Sequence, residues 1–578
     1  MILNSSMLKY TLLIGLGFCS FVAFAQEEEQ VPQEEAKGNL GEIEVVRDYK
    51  PILADAVKIR QSPDLTNNRK YLSKLNYSVF DRKLDINTGT HRLEIQQLPA
   101  MRPDILTNNY AKIGAGNFNT LLGEVYISNG EDQALQVGGF AKHLSQKGSD
   151  YEGQNFSEQK IGLFGRSILD RITLNGEIGF NRYATRYYGF VPLQPELNAD
   201  PTKQHYNDLY LKGELNSNYE DNEELLSYSL KVDGYLFGNA FSTKENSFAL
   251  SANINKKVNA FNVGANVSGD FTSLKSNDLS LGNHIARLNP YIRFQGKNYK
   301  LTLGATLVSE FGGEENRNNI FPTVDFDFAL VPEYASIYAG VKGDVVKTSF
   351  RSLANENPFL TESPFLDTTS NSLVVRNMLE KLHVFGGLKG NAGATFGYKV
   401  GVFYKQISDL PFYAIQPNSP SRYDIIYDRG EKNKVFGLEG DINVRVSEAV
   451  SLGGNLLFNE YDLENEAEAW YIPKLRLAAN TRINISKKVY IDGELFFNDA
   501  MKAKSYQQYA GVSGTDPNAP VTVSMPSFVD ISAGLEYRAT KQIGVYVRGN
   551  NLLNKGYERF LYYPRLGFNI IGGVNVSF

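Results

Sequence analysis

From about Tyr110 to the last residue, apolar and polar side chains alternate in run after run. In Arg171–Asn181, Ile172, Leu174, Gly176, Ile178 and Phe180 fall on one face, and Arg171, Thr173, Asn175, Glu177 and Asn181 on the other. The same period sets Phe261, Val263, Ala265, Val267 and Phe271 opposite Asn262, Asn266, Ser268 and Asp270, and recurs at Tyr299/Leu301/Leu303/Leu307 and Val489/Ile491/Leu495/Phe497. A period of two describes a strand with one oily and one wet face. Short polar turns punctuate the runs at Asn129–Asp132, Asp170-Arg171, Asp221–Glu223, Lys256-Lys257, Gly296–Asn298, Pro332-Glu333, Gly390-Asn391, Ser447-Glu448, Lys487-Lys488 and Thr540-Lys541. Many of the intervening connections are longer, notably 189–203, 312–319, 349–371, 411–422, 461–472 and 499–525. Short turns on one side and longer loops on the other are the asymmetry of an outer-membrane barrel. Ten turns separate eleven hairpins, so the pattern predicts an all-β, transmembrane antiparallel β-barrel of about 22 strands over residues 110–578.

Composition sharpens this picture. The chain holds 34 Tyr, 35 Phe and 51 Gly but one Trp and one Cys, a mix that favours strands over helices. Mean hydropathy is −0.31, ordinarily a sign of a soluble protein. A barrel escapes that inference because only alternate residues meet lipid. The net charge of −5 gives no reason to expect nucleic acid.

Ahead of the barrel the pattern is different. Lys9, an apolar stretch from Leu12 to Phe24 and Ala23-Phe24-Ala25 read as a secretory signal peptide over 1–25. Cys19 lies in its apolar core, and the bulky Phe18 before it argues against lipid attachment. Residues 26–42 form an acidic linker, and 43–109 a short irregular region, either a reduced plug or a periplasmic tether. The expected location is the outer membrane of a Gram-negative cell, with outer-membrane lipid and the barrel assembly machinery as partners.

Candidate chemistry is sparse. His91, His143, His205, His284 and His383 have no metal-ligand spacing, and no cofactor is expected. Asp325 and Asp327 share a face, which the barrel reading makes the lumen, where hydration is a simpler account than catalysis. Gly114-Ala115-Gly116 lacks a following helix for phosphate binding and reads as strand glycine close to a neighbouring backbone. No hydrolase motif appears, so an enzyme is not expected. Tyr183, Tyr187, Tyr188 and Phe190, and again Tyr557, Phe560, Tyr562 and Tyr563, read as an aromatic girdle at the outer interface, with a stacking surface for a glycan or peptide as the alternative. Arg182, Arg186, Arg559 and Arg565 interleave with these rings and suit either anionic lipid head groups or a ligand.

The last two strands carry a resemblance. Ile543–Glu558, with Asn551, Leu552, Asn554, Lys555 and Tyr557, resembles the penultimate-strand motif of TonB-dependent receptors, in a style similar to Bacteroidota outer-membrane proteins. The closing strand Phe568, Ile570, Gly572, Val574, Val576, Phe578 ends on an aromatic, similar to the assembly signal of outer-membrane barrels. The resemblance implies uptake of a bulky nutrient driven by an inner-membrane partner. It implies that Ile43, Glu44, Val45 and Val46 add as a strand to a TonB-like energy-coupling protein, although an ordinary tether strand is the simpler account. The family carries a plug of roughly 130 residues in so wide a lumen, whereas only 84 residues, 26–109, precede this barrel. That departure keeps a second expectation open: a structural or scaffold subunit of a secretion or envelope-assembly complex, docking a periplasmic or surface lipoprotein.

Overall fold

The computed structural model describes residues 109–578, apart from 130–133, 149, 190–200, 218–225, 260, 314–315, 333, 368–369, 393–394, 418, 511–515 and 517–518. The expected signal peptide, linker and N-terminal region, Ile43–Val46 included, lie outside the described residues.

Twenty-two strands form one antiparallel sheet in which each strand pairs with its neighbour in sequence. The sheet closes when the first strand, Tyr110–Gly116, pairs with the last, Asn569–Ser577, in a register running from Tyr110↔Ser577 to Gly116↔Ile571. Closure satisfies every edge, as a structure in lipid requires. Alternation runs as the sequence predicts: Ile178 and Ile320 stand 47% and 73% exposed on the outer wall, where lipid would cover them. Inward residues pair instead, as Arg287 with Asp344 at 3.0 Å and Arg548 with Asp492 at 2.6 Å. Asp327 pairs with Lys389 across the inner wall.

The described connections near the predicted turns fall on one rim, although Lys256-Lys257 and Gly390-Asn391 end the strands Lys244–Val258 and Met378–Ala392 instead of forming the turns, and 130–132, 221–223 and 333 lie outside the described residues. Several are sealed by backbone bonds, such as Gly296 N to Tyr299 O at 2.9 Å and Thr540 N to Ile543 O at 3.1 Å. Both ends of the barrel lie on this rim, the periplasmic side by the turn-length rule. The opposite rim is uneven. The connections 117–119, 240–243 and 277–278 are as tight as the periplasmic turns, whereas 347–377, 409–432, 463–474, 499–527 and 551–568 are long.

At the seam, Gly114 opposes Gly573, and the Tyr546 ring from the penultimate strand lies across both. The Tyr546 hydroxyl donates to Ile113 O at 3.3 Å and the Lys112 ammonium stands 4.1 Å from the ring centroid. Side chains at either glycine would occupy that space, so Gly114 marks the close approach its context suggests.

Candidate functional site

The long loops fold inward rather than projecting, and pack into one hydrophobic core across the outer mouth. Its centre is the segment 347–377. Ser349 caps the helix Phe350–Glu356 by accepting from Ser352 N at 3.0 Å. The Glu245 carboxylate, from the barrel wall, accepts from Phe350 N and Arg351 N at 2.7 and 3.1 Å, as an anion at a helix start should. Phe350, fully buried, meets the edges of Tyr206 and Phe237, which point in from the wall. Arg351 pairs with Asp208 at 2.8 Å, tying the same helix to a neighbouring strand.

A hairpin rising from the wall, Leu410–Gln416 with Ser419–Asp428, lies against this segment. Tyr423 N donates to Phe359 O at 3.0 Å and Thr361 N to Tyr423 O at 2.9 Å. The buried Tyr423 hydroxyl then reaches Leu561 O of the last loop at 2.7 Å. Phe359 stacks on Tyr563 with centroids 3.5 Å apart, and Phe560 meets Tyr413, Tyr423 and Tyr471. A second hairpin, Met501–Tyr506 with Pro520–Met525, joins through Tyr562, whose hydroxyl donates to Tyr509 O at 3.1 Å. Tyr423, Tyr562 and Tyr563 each bury a ring and spend the hydroxyl on a loop carbonyl, which supplies both apolar area and a partner for loop backbone.

These contacts correct one expectation. Tyr187, Tyr557, Phe560, Tyr562 and Tyr563 are buried in the cap and form no lipid-facing girdle. Tyr187 donates to Leu360 O at 2.5 Å and the half-buried Tyr188 to Pro564 O at 3.1 Å. The physical reason is position: these rings sit beyond the strand ends, where alternation no longer dictates which way a side chain points. Arg559 is buried with them, while Arg182 stands exposed on the outer wall, so the four interleaved arginines serve different surfaces. Sequence reasoning missed Phe350, Phe359, Tyr413, Tyr423, Trp470 and Tyr471; the density of large aromatics inside nominally polar loops was the available signal.

Electrostatics within the cap are mixed. Burial raises the Asp428 carboxyl, but donors from Glu466 N, Asn433 Nδ2, Gly430 N and Asn465 N outweigh it and hold the group below its usual range. Asp424 accepts a side-chain hydrogen bond from Gln416 at 3.1 Å, and burial pushes its carboxyl up to about 6. Burial also pushes the Arg559 guanidinium well down; Nε and Nη2 find no hydrogen-bond partner among the described residues.

The motif residues are brought together as a turn. Asn551, at φ 48°, donates from Nδ2 to Lys555 O and Leu566 O at 3.0 and 3.1 Å. Asn554, at φ 49°, accepts from Phe568 N at 2.8 Å. Tyr557 donates to Asp530 at 2.6 Å and stacks on Phe528. Leu552 is exposed on the outer wall and the exposed Lys555 closes the turn through its backbone. Phe578 stands 55% exposed at the periplasmic rim, its N–H donating to Asn109 O at 3.0 Å. Among the described histidines, His383 is buried and meets Glu380 at 2.8 Å, which Lys405 also reaches. No group of three or more metal-capable side chains occurs among the described residues.

No protein-family model matches the chain, and no curated protein does. Solved structures do. The ferripyoverdine receptor of the outer membrane of Pseudomonas aeruginosa, bound to ferripyoverdine, is 13% identical over 81% of this chain and 71% of that one, with a TM-score of 0.59. The fold is that of outer-membrane siderophore receptors. The FrpB iron transporter from Neisseria meningitidis is 10% identical over 81% of both chains, TM-score 0.60. The ferric-catecholate import receptor Fiu from K12 E. coli is 10% identical over 82% of both, TM-score 0.56. The expected receptor-type barrel of 22 strands is thus present, and the strand count agrees with the sequence pattern.

Proposed function

We propose that this protein is a receptor-like outer-membrane barrel that takes up a bulky nutrient, with the lumen as route and the loop cap as the surface that meets the substrate. The closed 22-stranded barrel, shared in fold with siderophore and iron receptors, carries this reading. Iron chelates are the first substrate class to assay. Energy would come from a TonB-like protein engaging Ile43–Val46, and Phe578 would guide assembly. Loss of radiolabelled ferric-siderophore uptake on deleting the gene, and equal loss on deleting residues 26–46, supports the reading; unchanged uptake of every chelate tested counts against it.

A second reading draws on the cap itself. An aromatic core tied by tyrosine hydroxyls to loop backbone resembles a permanent interior more than a lid. It favours a scaffold subunit of an outer-membrane complex, binding a periplasmic or surface lipoprotein. Affinity isolation from native outer membrane separates the two: stoichiometric protein partners without bound chelate favour the scaffold.

A further inference from the structure

The outer wall changes character abruptly along one sector. In strands Leu135–Lys147, Asn155–Ile168, Ile172–Arg186 and Lys203–Ser217, the residues Ala141, Ile161, Phe180 and Leu209 stand in one cross-strand row. They belong to the outward, lipid-facing set. The next outward row toward the cell surface is His143, Gln159, Arg182 and Asn207, and the one after it is Ser145, Ser157, Ala184 and His205. Beyond these, Lys147 pairs with Asn155 and Arg186 with Lys203. The apolar band therefore gives way, within three outward rows, to four cations and two histidines. No outward position of these four strands holds a carboxylate.

Lys147, Arg182, Arg186, Lys203 and His205 line a single cleft of about 420 Å³. Arg186 donates from Nη1 to Pro201 O at 2.9 Å, which fixes its stem, and no carboxylate among the described residues pairs with it. Among the described residues no carboxylate pairs with Lys147, Arg182 or Lys203. Another sector at the same level is neutralised: Lys434 meets Asp462 at 3.2 Å and Lys474 meets Glu460 at 2.7 Å. Among the described residues, cations without a paired carboxylate are thus gathered at the cleft, and its height is where lipid head groups stand.

We propose that this cleft binds the phosphorylated head group of an outer-leaflet glycolipid, whose acyl chains lie along Ile161, Phe180 and Leu209. Guanidinium forks match phosphate oxygens, and lysines add point charge. The inference depends on the barrel standing in the outer membrane and not on what passes through it.

The test uses full-length protein in detergent, mixed with micelles carrying bisphosphorylated lipid A or the same lipid stripped of its phosphates, with bound lipid counted by native mass spectrometry. Wild type should retain the phosphorylated lipid and release the stripped one. The R182Q/R186Q/K203Q variant should bind about ten-fold less tightly, the order expected on losing several charge-assisted bonds at a wetted surface. K434Q/K474Q should bind as wild type. Equal retention of both lipids by wild type, or full binding by the triple variant, overturns the proposal. Should the triple variant lack the heat-modifiable gel shift of a folded barrel, the wild-type comparison of the two lipids decides alone.

Discussion

Single side chains in the cap are exposed to pH and to backbone strain in ways that can be measured. The Asp424 carboxyl is pushed up to about 6 by burial. Its unfolded value is near 3.9, so the ionised form weakens the folded cap. That penalty is absent below about pH 4, develops between about pH 4 and 6, and is complete above. Asp424→Asn keeps an acceptor for Gln416 and removes the penalty. The variant should gain on the order of 1–2 kcal/mol at about pH 8 and nothing at about pH 3.5, read as the urea midpoint for loss of the folded band. Asn551 illustrates strain. Ala at its left-handed φ costs about 1–2 kcal/mol, and two bonds to carbonyls are lost as well. Asn551→Ala should lower stability by about 2–3 kcal/mol, with Asn551→Gly intermediate because glycine relieves only the backbone.

Among the elements, the seam between first and last strands is the most sensitive. A side chain at Gly573 would press on Ile113 O and Gly114 Cα, and on the Tyr546 ring. Gly573→Val should therefore cut the yield of heat-modifiable barrel sharply, while Gly572→Ala, with open space on the outer wall, should fold as wild type. This level is also where the sequence was most legible. Strands such as Ile172–Arg186 carry a period of two imposed by lipid on one side and water on the other, so the residues declare face, register sense and count. Loops obey no period. Tyr187 and Tyr563 continue an aromatic run beside a strand end, which reads as a girdle, yet they turn inward because Leu360 O and Ser421 O await their hydroxyls. Nothing local in the chain announces partners more than a hundred residues away. The motif Asn551–Tyr557 was readable as a motif, while its work as a hydrogen-bonded turn emerged only from geometry.

For the molecule as a whole, the decisive feature is that the long connections 347–377, 409–432, 463–474, 499–527 and 551–568 pack into one core across the outer mouth. Removing residues 411–427 takes away Tyr413 and Tyr423, and with them two of the rings that meet Phe560 and one that meets Tyr471. In cells whose protein also lacks residues 43–109, that deletion should raise sensitivity to bulky antibiotics, measured as inhibitory concentration, while the 43–109 deletion alone should leave sensitivity near wild type. If the single deletion already sensitises the cells, the cap does not close the mouth.

The tight rim connections and the inward hairpins also shape how the protein meets its surroundings. In the described part of the cap, a protease or antibody arriving from the medium meets loop backbone already bonded by buried tyrosines, as Leu561 O by Tyr423 and Tyr509 O by Tyr562. Intact cells treated with trypsin should accordingly retain an uncut barrel at doses that trim looser surface proteins, so the same packing that shuts the mouth gives the cell a durable outward face.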